Sequence, residues 1–276
     1  MSLIESIIYG VISGLTEIFP VSSQANQMVM RYLMGVAHKE PIRDLLIHMA
    51  VLMAVLLACR DMFSKIRREQ VLARRMRRNP SQVRALKGVY NVRLVRSAVP
   101  VMVIGLLLGL VFADLYKKRT VFSLMLLING ALVLIPTYMH QGNRDARSMT
   151  RMDGILVGIA AALSAIPGVS RNGAIMFATL IRGADKENGV DWALMLAVPA
   201  MFALGLVDLI SIFTVGVGSI TLLVIVSYLV SAACAFAGAY LAVAIVRALI
   251  LRTDYSVFAY YDFGLALFSF VLYLIA

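Results

Sequence analysis

Gly10 to Ser23 reads GVISGLTEIFPVSS, and Gly158 to Arg171 reads GIAAALSAIPGVSR. Each is an apolar helix that starts at a glycine, runs into a proline and ends near a Val-Ser pair. Three further apolar blocks follow each stretch. A matched pair of this kind marks a duplicated unit. A proline at membrane depth frees backbone N–H and C=O groups, which persist only when buried in protein or facing a watery cavity. Both breaks are therefore expected to be the tips of re-entrant helical hairpins that meet inside a bundle.

The surrounding chain supports a membrane setting. Of its 276 residues, 61% are hydrophobic, against about 45–50% in a soluble domain, and the mean hydropathy is +0.87. The apolar residues sit in blocks, several near the roughly 20 residues that span a bilayer. The expected fold is all-α: a polytopic membrane helix bundle forming a single integral membrane domain over 1–276. It divides into two inverted repeats, 1–140 and 153–276, each with a re-entrant broken-helix hairpin, and a basic loop at 60–96. Cys59 and Cys234 lie in apolar runs without a metal-ligand pattern and read as small core residues. No cleavable signal peptide is expected, since Glu5 stands where a basic leader would begin.

A net charge of +11 would suggest nucleic acid on a soluble protein. On this one it reports topology and the anionic inner leaflet, so no nucleic acid partner is expected. Arg60–Arg96 holds 12 Lys/Arg and two acids, which places it in the cytoplasm. Alternation of the blocks then leaves 19 basic residues inside and 6 outside, with both termini outside. The first hairpin opens outward and the second inward, so the repeats are inverted. The run Lys65–Lys87 reads equally well as an amphipathic surface helix or a solvated loop.

Ionisable residues in apolar surroundings are functional candidates by default. Here they are Glu17, His48, Asp153, Arg171, Asp208 and Asp262. Glu17 and Arg171 stand at the two breaks, with Ser22, Ser23 and Ser170 beside them. A guanidinium, hydroxyls and the N–H groups of the following half-helices suit a phosphate oxyanion. The competing reading is a buried structural pair between the hairpins. His48 has Arg43 and Asp44 one turn earlier and reads as a packed residue or a catalytic imidazole. Asp208 and Asp262 read as polar contacts between helices, and Asp153 as a helix N-cap.

The stretches GLTEIFPVSS (Gly14–Ser23) and PGVSRNG (Pro167–Gly173) resemble the two signatures of the bacterial undecaprenyl-pyrophosphate phosphatase (BacA/UppP) family. LIHMAVLMAVLLACR (Leu46–Arg60) and LAVPAMFALGLVD (Leu196–Asp208) are similar to further family segments. The resemblance spans essentially the whole chain. It implies a multi-pass protein of the bacterial cytoplasmic membrane that removes one phosphate from undecaprenyl diphosphate in cell-wall lipid-carrier recycling. It also implies a divalent cation, Mg²⁺ or Ca²⁺, held by Glu17. Carried over by position, Glu17, Ser23, Arg171 and His48 are the expected catalytic set, and Ser22, Ser23, Ser170 and Arg171 the phosphate cradle. Expected partners are a polyprenyl phosphate or diphosphate, the membrane and a second copy of the chain.

The departures are as specific as the matches. Ser13 stands where the family usually has Glu or Gln, and Asn26 where it has His. Asn172 replaces a serine, Ile175 a threonine and Ala193 another serine. Two readings therefore stand. One is a phosphatase with an altered site in which His48 replaces the lost imidazole. The other is a non-hydrolytic protein that binds or translocates the lipid phosphate. The topology is testable alone: a cysteine placed at Gln70 should resist an impermeant thiol reagent in intact cells, and its labelling would reverse the assignment.

Overall fold

The computed structural model describes residues 1–36, 39–76, 92–109, 119–138, 142, 144, 148–218, 220–252 and 256–275. Among these the chain is helical, with a single isolated β-bridge, Arg144 to Ala184, and no strand. The helices are α1 (Leu3–Ile18), α2 (Ser23–Leu33), α3 (Pro41–Ala58), α4 (Arg60–Met76), α5 (Val92–Leu108), α6 (Arg119–Tyr138), α7 (Arg151–Ala162), α8 (Arg171–Ile181), α9 (Lys186–Val215), α10 (Leu222–Arg252) and α11 (Ser256–Ile275). Four of them, α3, α6, α9 and α10, contain stretches long and apolar enough to cross a membrane. With the apolar belts they expose, they make this a helical membrane protein.

Both breaks follow from local chemistry. Pro20 disfavours helix in the residue before it, and Phe19 is extended at φ −65°, ψ 152°. Ser22 then caps α2, its hydroxyl accepting the Ala25 N–H at 3.3 Å. In the second stretch α7 tightens into a 3₁₀ turn, Leu163–Ala165, and Gly168 takes φ +98°, a conformation open to glycine. Ser170 caps α8 through the Gly173 N–H at 3.1 Å. Helices α2 and α8 have 11 residues each. At 1.5 Å per residue they rise about 16 Å, roughly half the hydrocarbon core.

Packing is reciprocal. Helix α1 lies along α10 while α7 lies along α5; α3 packs on α10 while α9 packs on α5; α3 meets α9, and α6 meets α11. The first two contacts depend on small residues, the usual means of close helix approach in lipid. A Cβ at Gly14 would stand 2.1 Å from the Ala235 carbonyl oxygen, and one at Gly158 2.6 Å from that of Ala98.

One end of the bundle gathers the starts of α1, α3 and α10. There the Arg43 guanidinium lies over the rings of Tyr9 and Tyr228 and pairs with Glu40. The other end gathers Met62, Asp191 paired with Arg247 at 2.9 Å, and Asp153 paired with Arg182 at 2.5 Å and Arg144 at 3.3 Å. The cap of α7 is Thr150 and not Asp153, which is the third helical residue and completes a capping box with it. The basic segment begins as helix α4, with Arg67 and Arg68 exposed; its remainder at 77–91 lies outside the described residues.

Gly158→Leu should force α7 off α5 and destabilise the protein by about 1–3 kcal/mol. Gly218, which has open space around it, should accept leucine with little effect. Thermal unfolding in detergent, comparing the two variants, checks this.

Candidate active site

The two breaks touch. The side-chain amide of Asn172 donates to the carbonyls of Glu17 at 2.9 Å and Ile18 at 2.7 Å. The Arg171 guanidinium donates to the Glu17 carbonyl at 2.9 Å and to its carboxylate at 3.4 Å. These are carbonyls that the end of α1 leaves without helical partners. The second break therefore supplies the donors that the first one lacks.

Beside this contact lies a cavity of about 720 Å³. Glu17, Ser23, His48, Ser170, Arg171 and Asp208 are among its lining residues. Arg171 has five N–H donors; three are engaged, by the Asn172 side chain and twice by Glu17, which leaves two for a ligand. The Ser23 hydroxyl faces the Glu17 carboxylate. Ser22 lies behind the wall, fully buried, its hydroxyl used in the cap. Ser170 lines the cavity, although its hydroxyl also serves a cap.

His48 joins the site from α3, and its partner is Asp208 on α9, not its sequence neighbours. Nδ1 stands 2.5 Å from Asp208 Oδ2. An ionised carboxylate only accepts hydrogen bonds, so Nδ1 carries a proton toward Asp208 and Nε2 carries one toward Glu17, which makes the ring an imidazolium. That second separation is 3.7 Å, an ion-pair contact rather than a hydrogen bond. Asp208 also takes Lys39 at 3.1 Å, and Lys39 lies 3.6 Å from Asp44. The result is a line of alternating charge, Lys39–Asp208–His48–Glu17–Arg171, through a largely buried interior. Sequence reasoning named four of its members and missed Lys39 and the pairing of Asp208 with His48. These residues lie 160 positions apart, and nothing local links them. Arg43, one turn before His48, points away to Tyr9 and Tyr228.

The departures from the family pattern also have places. Asn26 does not line the cavity: its amide donates to the Ser22 carbonyl at 2.9 Å, and its side-chain oxygen accepts from the Tyr261 hydroxyl. Ser13 is fully buried one turn before Glu17, its hydroxyl without a partner. Among the described residues no group of three or more His, Cys, Asp or Glu is placed to hold a metal. Glu17, the expected ligand, already faces a guanidinium and an imidazole. This donor set does not fit a protein-held divalent cation, and no chemical step below is routed through one.

The family model described as "Bacitracin resistance protein BacA" matches residues 6–268. Among curated relatives, the undecaprenyl-diphosphatase 1 of Shouchella clausii is 32% identical over 76% of each chain. The undecaprenyl-diphosphatase 2 of Halalkalibacterium halodurans is 28% identical over 98% of this chain and 96% of its own. The undecaprenyl-diphosphatase of Halothermothrix orenii is 26% identical over 95% and 94%. A match that runs through both breaks and every described helix but the first three residues of α1 and the last seven of α11 places this protein in the BacA family.

Proposed function

We propose that this chain is a membrane phosphatase that removes the terminal phosphate of a polyprenyl diphosphate, the undecaprenyl lipid being the substrate class its relatives' names give. The carrying observation is the cavity between the two breaks, where Ser23, Glu17 and the two uncommitted N–H groups of Arg171 converge. The reading includes two inverted repeats with re-entrant hairpins, a bacterial cytoplasmic membrane setting and a homodimer. The reciprocal packing of α1 on α10 and α7 on α5 supports the repeats, and the 19-to-6 split of basic residues supports the sidedness.

In this reading the diphosphate enters with its terminal phosphorus between Ser23 and Arg171. The nucleophile is the Ser23 oxygen or a water held by it. A bond forms from that oxygen to phosphorus while the bond from phosphorus to the bridging oxygen breaks. The lipid monophosphate leaves with the electron pair. The nucleophile's proton passes to the Glu17 carboxylate, whose other oxygen faces His48 Nε2. If Ser23 attacks, a water then forms a bond to phosphorus as the bond from phosphorus to the Ser23 oxygen breaks; Glu17 returns its proton to that oxygen, and the water's protons leave with the inorganic phosphate. Arg171 neutralises charge on the equatorial oxygens, which is worth most in a water-poor site. Asp208 holds the imidazolium in the orientation that faces Glu17.

A second reading, binding or translocation without hydrolysis, is favoured by one observation. Asn26, at the family's histidine position, is tied to Ser22 and Tyr261 and brings no titratable group to the cavity. Phosphate release from undecaprenyl diphosphate by the purified protein separates the two readings, and sizing in detergent tests the dimer.

Three substitutions sharpen the test. Glu17→Gln keeps shape but cannot accept the proton, so turnover should fall by about 10²–10⁴-fold while lipid binding stays within a few-fold. Arg171→Lys replaces a bidentate fork with a point charge; both binding and turnover should fall, the latter by about 10²–10³-fold. His48→Gln should slow turnover with little effect on binding. Native-like turnover in Glu17→Gln would remove the proton route through Glu17, and tight lipid binding with no release by the native chain would remove the phosphatase reading.

A further inference from the structure

Opposite the cavity, the two breaks are joined a second time. Asn129 on α6 and Asp262 on α11 are both fully buried, and the Asn129 amide donates to Asp262 Oδ2 at 2.5 Å. The close approach depends on Gly130, where a Cβ would stand 2.5 Å from the Phe263 ring. Asn129 meets both breaks, its amide also lying 3.5 Å from the Pro20 carbonyl, and Asp262 meets the first. The Asn129 side-chain oxygen accepts the backbone N–H of Ser170 at 2.7 Å. The Asp262 carboxylate lies near the backbone N–H of Ser22, and its buried Oδ1, which makes no hydrogen bond, is the acceptor left for it. Ser22 and Ser170 are the caps of α2 and α8. Their hydroxyls are already used, so their own N–H groups need an acceptor from elsewhere in the bundle.

We infer that Asn129 and Asp262 are a paired positioning device that fixes both half-helix starts against each other, and with them the spacing of Ser23, Glu17 and Arg171. The donor count dictates one amide and one carboxylate. There are two backbone N–H groups to accept, one bond to make between the side chains and a longer contact, 3.5 Å, from the Asn129 amide to the Pro20 carbonyl. An Asn supplies an acceptor and a donor; an Asp supplies two acceptors. Two ionised carboxylates would repel each other and stay together only by taking up a proton, which changes the pattern of donors and acceptors at both breaks. Two amides would leave an NH₂ group against a backbone N–H. Either single exchange breaks the set, whereas exchanging both residues at once restores every contact except the long one to the Pro20 carbonyl. The carboxylate then placed on α6 would accept from the Ser170 N–H and from the new amide on α11, while the oxygen of that amide accepts from the Ser22 N–H.

The test is this exchange in the full chain in detergent, with two readouts. Backbone amide exchange of peptides covering 20–24 and 168–172 reads the device itself. The kcat and KM for phosphate release from undecaprenyl diphosphate read its effect on the site; that arm rests on the phosphatase reading, and the exchange arm does not. Asn129→Asp alone should speed amide exchange at both breaks about tenfold or more and lower kcat more than KM changes. Asp262→Asn alone, the gentler variant, should loosen the Ser22 side. The double variant Asn129→Asp with Asp262→Asn should return exchange and kcat to within about threefold of native. The inference is overturned if the double variant is no better than the worse single one, or if both single variants exchange like the native protein. A native chain that releases no phosphate but shows the rescue in amide exchange would sink the phosphatase reading and leave the positioning device standing.

Discussion

A helix that stops inside a membrane leaves carbonyls with no water to meet, and that constraint shapes this protein. An unpaired buried polar group costs about 2–7 kcal/mol depending on its surroundings. Helix α1 stops at Ile18, before Pro20. The carbonyls of Glu17 and Ile18 are met by the side chains of Arg171 and Asn172, at the start of α8. On the other side of the contact, the N–H groups of Ser22 and Ser170 face Asp262 and Asn129. Neither break is self-sufficient, so the two are held in one geometry. The residue that meets the most freed carbonyls is Asn172, at a position where the family pattern has serine. Its side-chain amide reaches both Glu17 and Ile18, which gives that departure a structural reason.

The same contact sets the electrostatics. Arg171 is buried, so its charge needs partners; removing one side of such a pair costs about 3–5 kcal/mol. Glu17 supplies a carbonyl and a carboxylate, and it in turn faces His48, which is held by Asp208 and, beyond it, Lys39. Charges of alternating sign make each burial tolerable and place a proton acceptor and a guanidinium on one cavity wall. Structural need and chemical competence thus coincide at Glu17 and Arg171. Of the two interpretations open from the sequence, the contact between the breaks shows the hairpin pin, and the proposed phosphate site uses the same two residues.

The repeated GVISGLTEIFPVSS and GIAAALSAIPGVSR stretches made the helical bundle and the meeting of Glu17 with Arg171 legible, because a proline beside a charge at membrane depth has few physical solutions. Two things were not legible. His48 has Asp44 one turn away, and helix geometry alone points to that neighbour; its partner Asp208 is chosen by the packing of α3 on α9, which no local spacing encodes. Likewise Asn129 drew no attention as an uncharged residue in an apolar run, and Asp262 gave no sign of its partner. Their significance arises only where α6 and α11 cross. The Thr150 cap of α7 was readable, since Thr-Arg-Met-Asp has the spacing of a capping box, but the charge on Asp153 drew the cap assignment to the wrong residue.

The central claim is that the cavity between the two breaks receives the phosphates of the lipid. The most direct measurement is a cryo-EM map of the full-length protein with a slowly hydrolysed thio-analogue of farnesyl diphosphate. Density for the terminal phosphate within hydrogen-bonding distance of the Arg171 guanidinium and the Ser23 hydroxyl is the expected result. A diphosphate bound at the bundle surface, with the Glu17–Arg171 cavity unfilled, would contradict it.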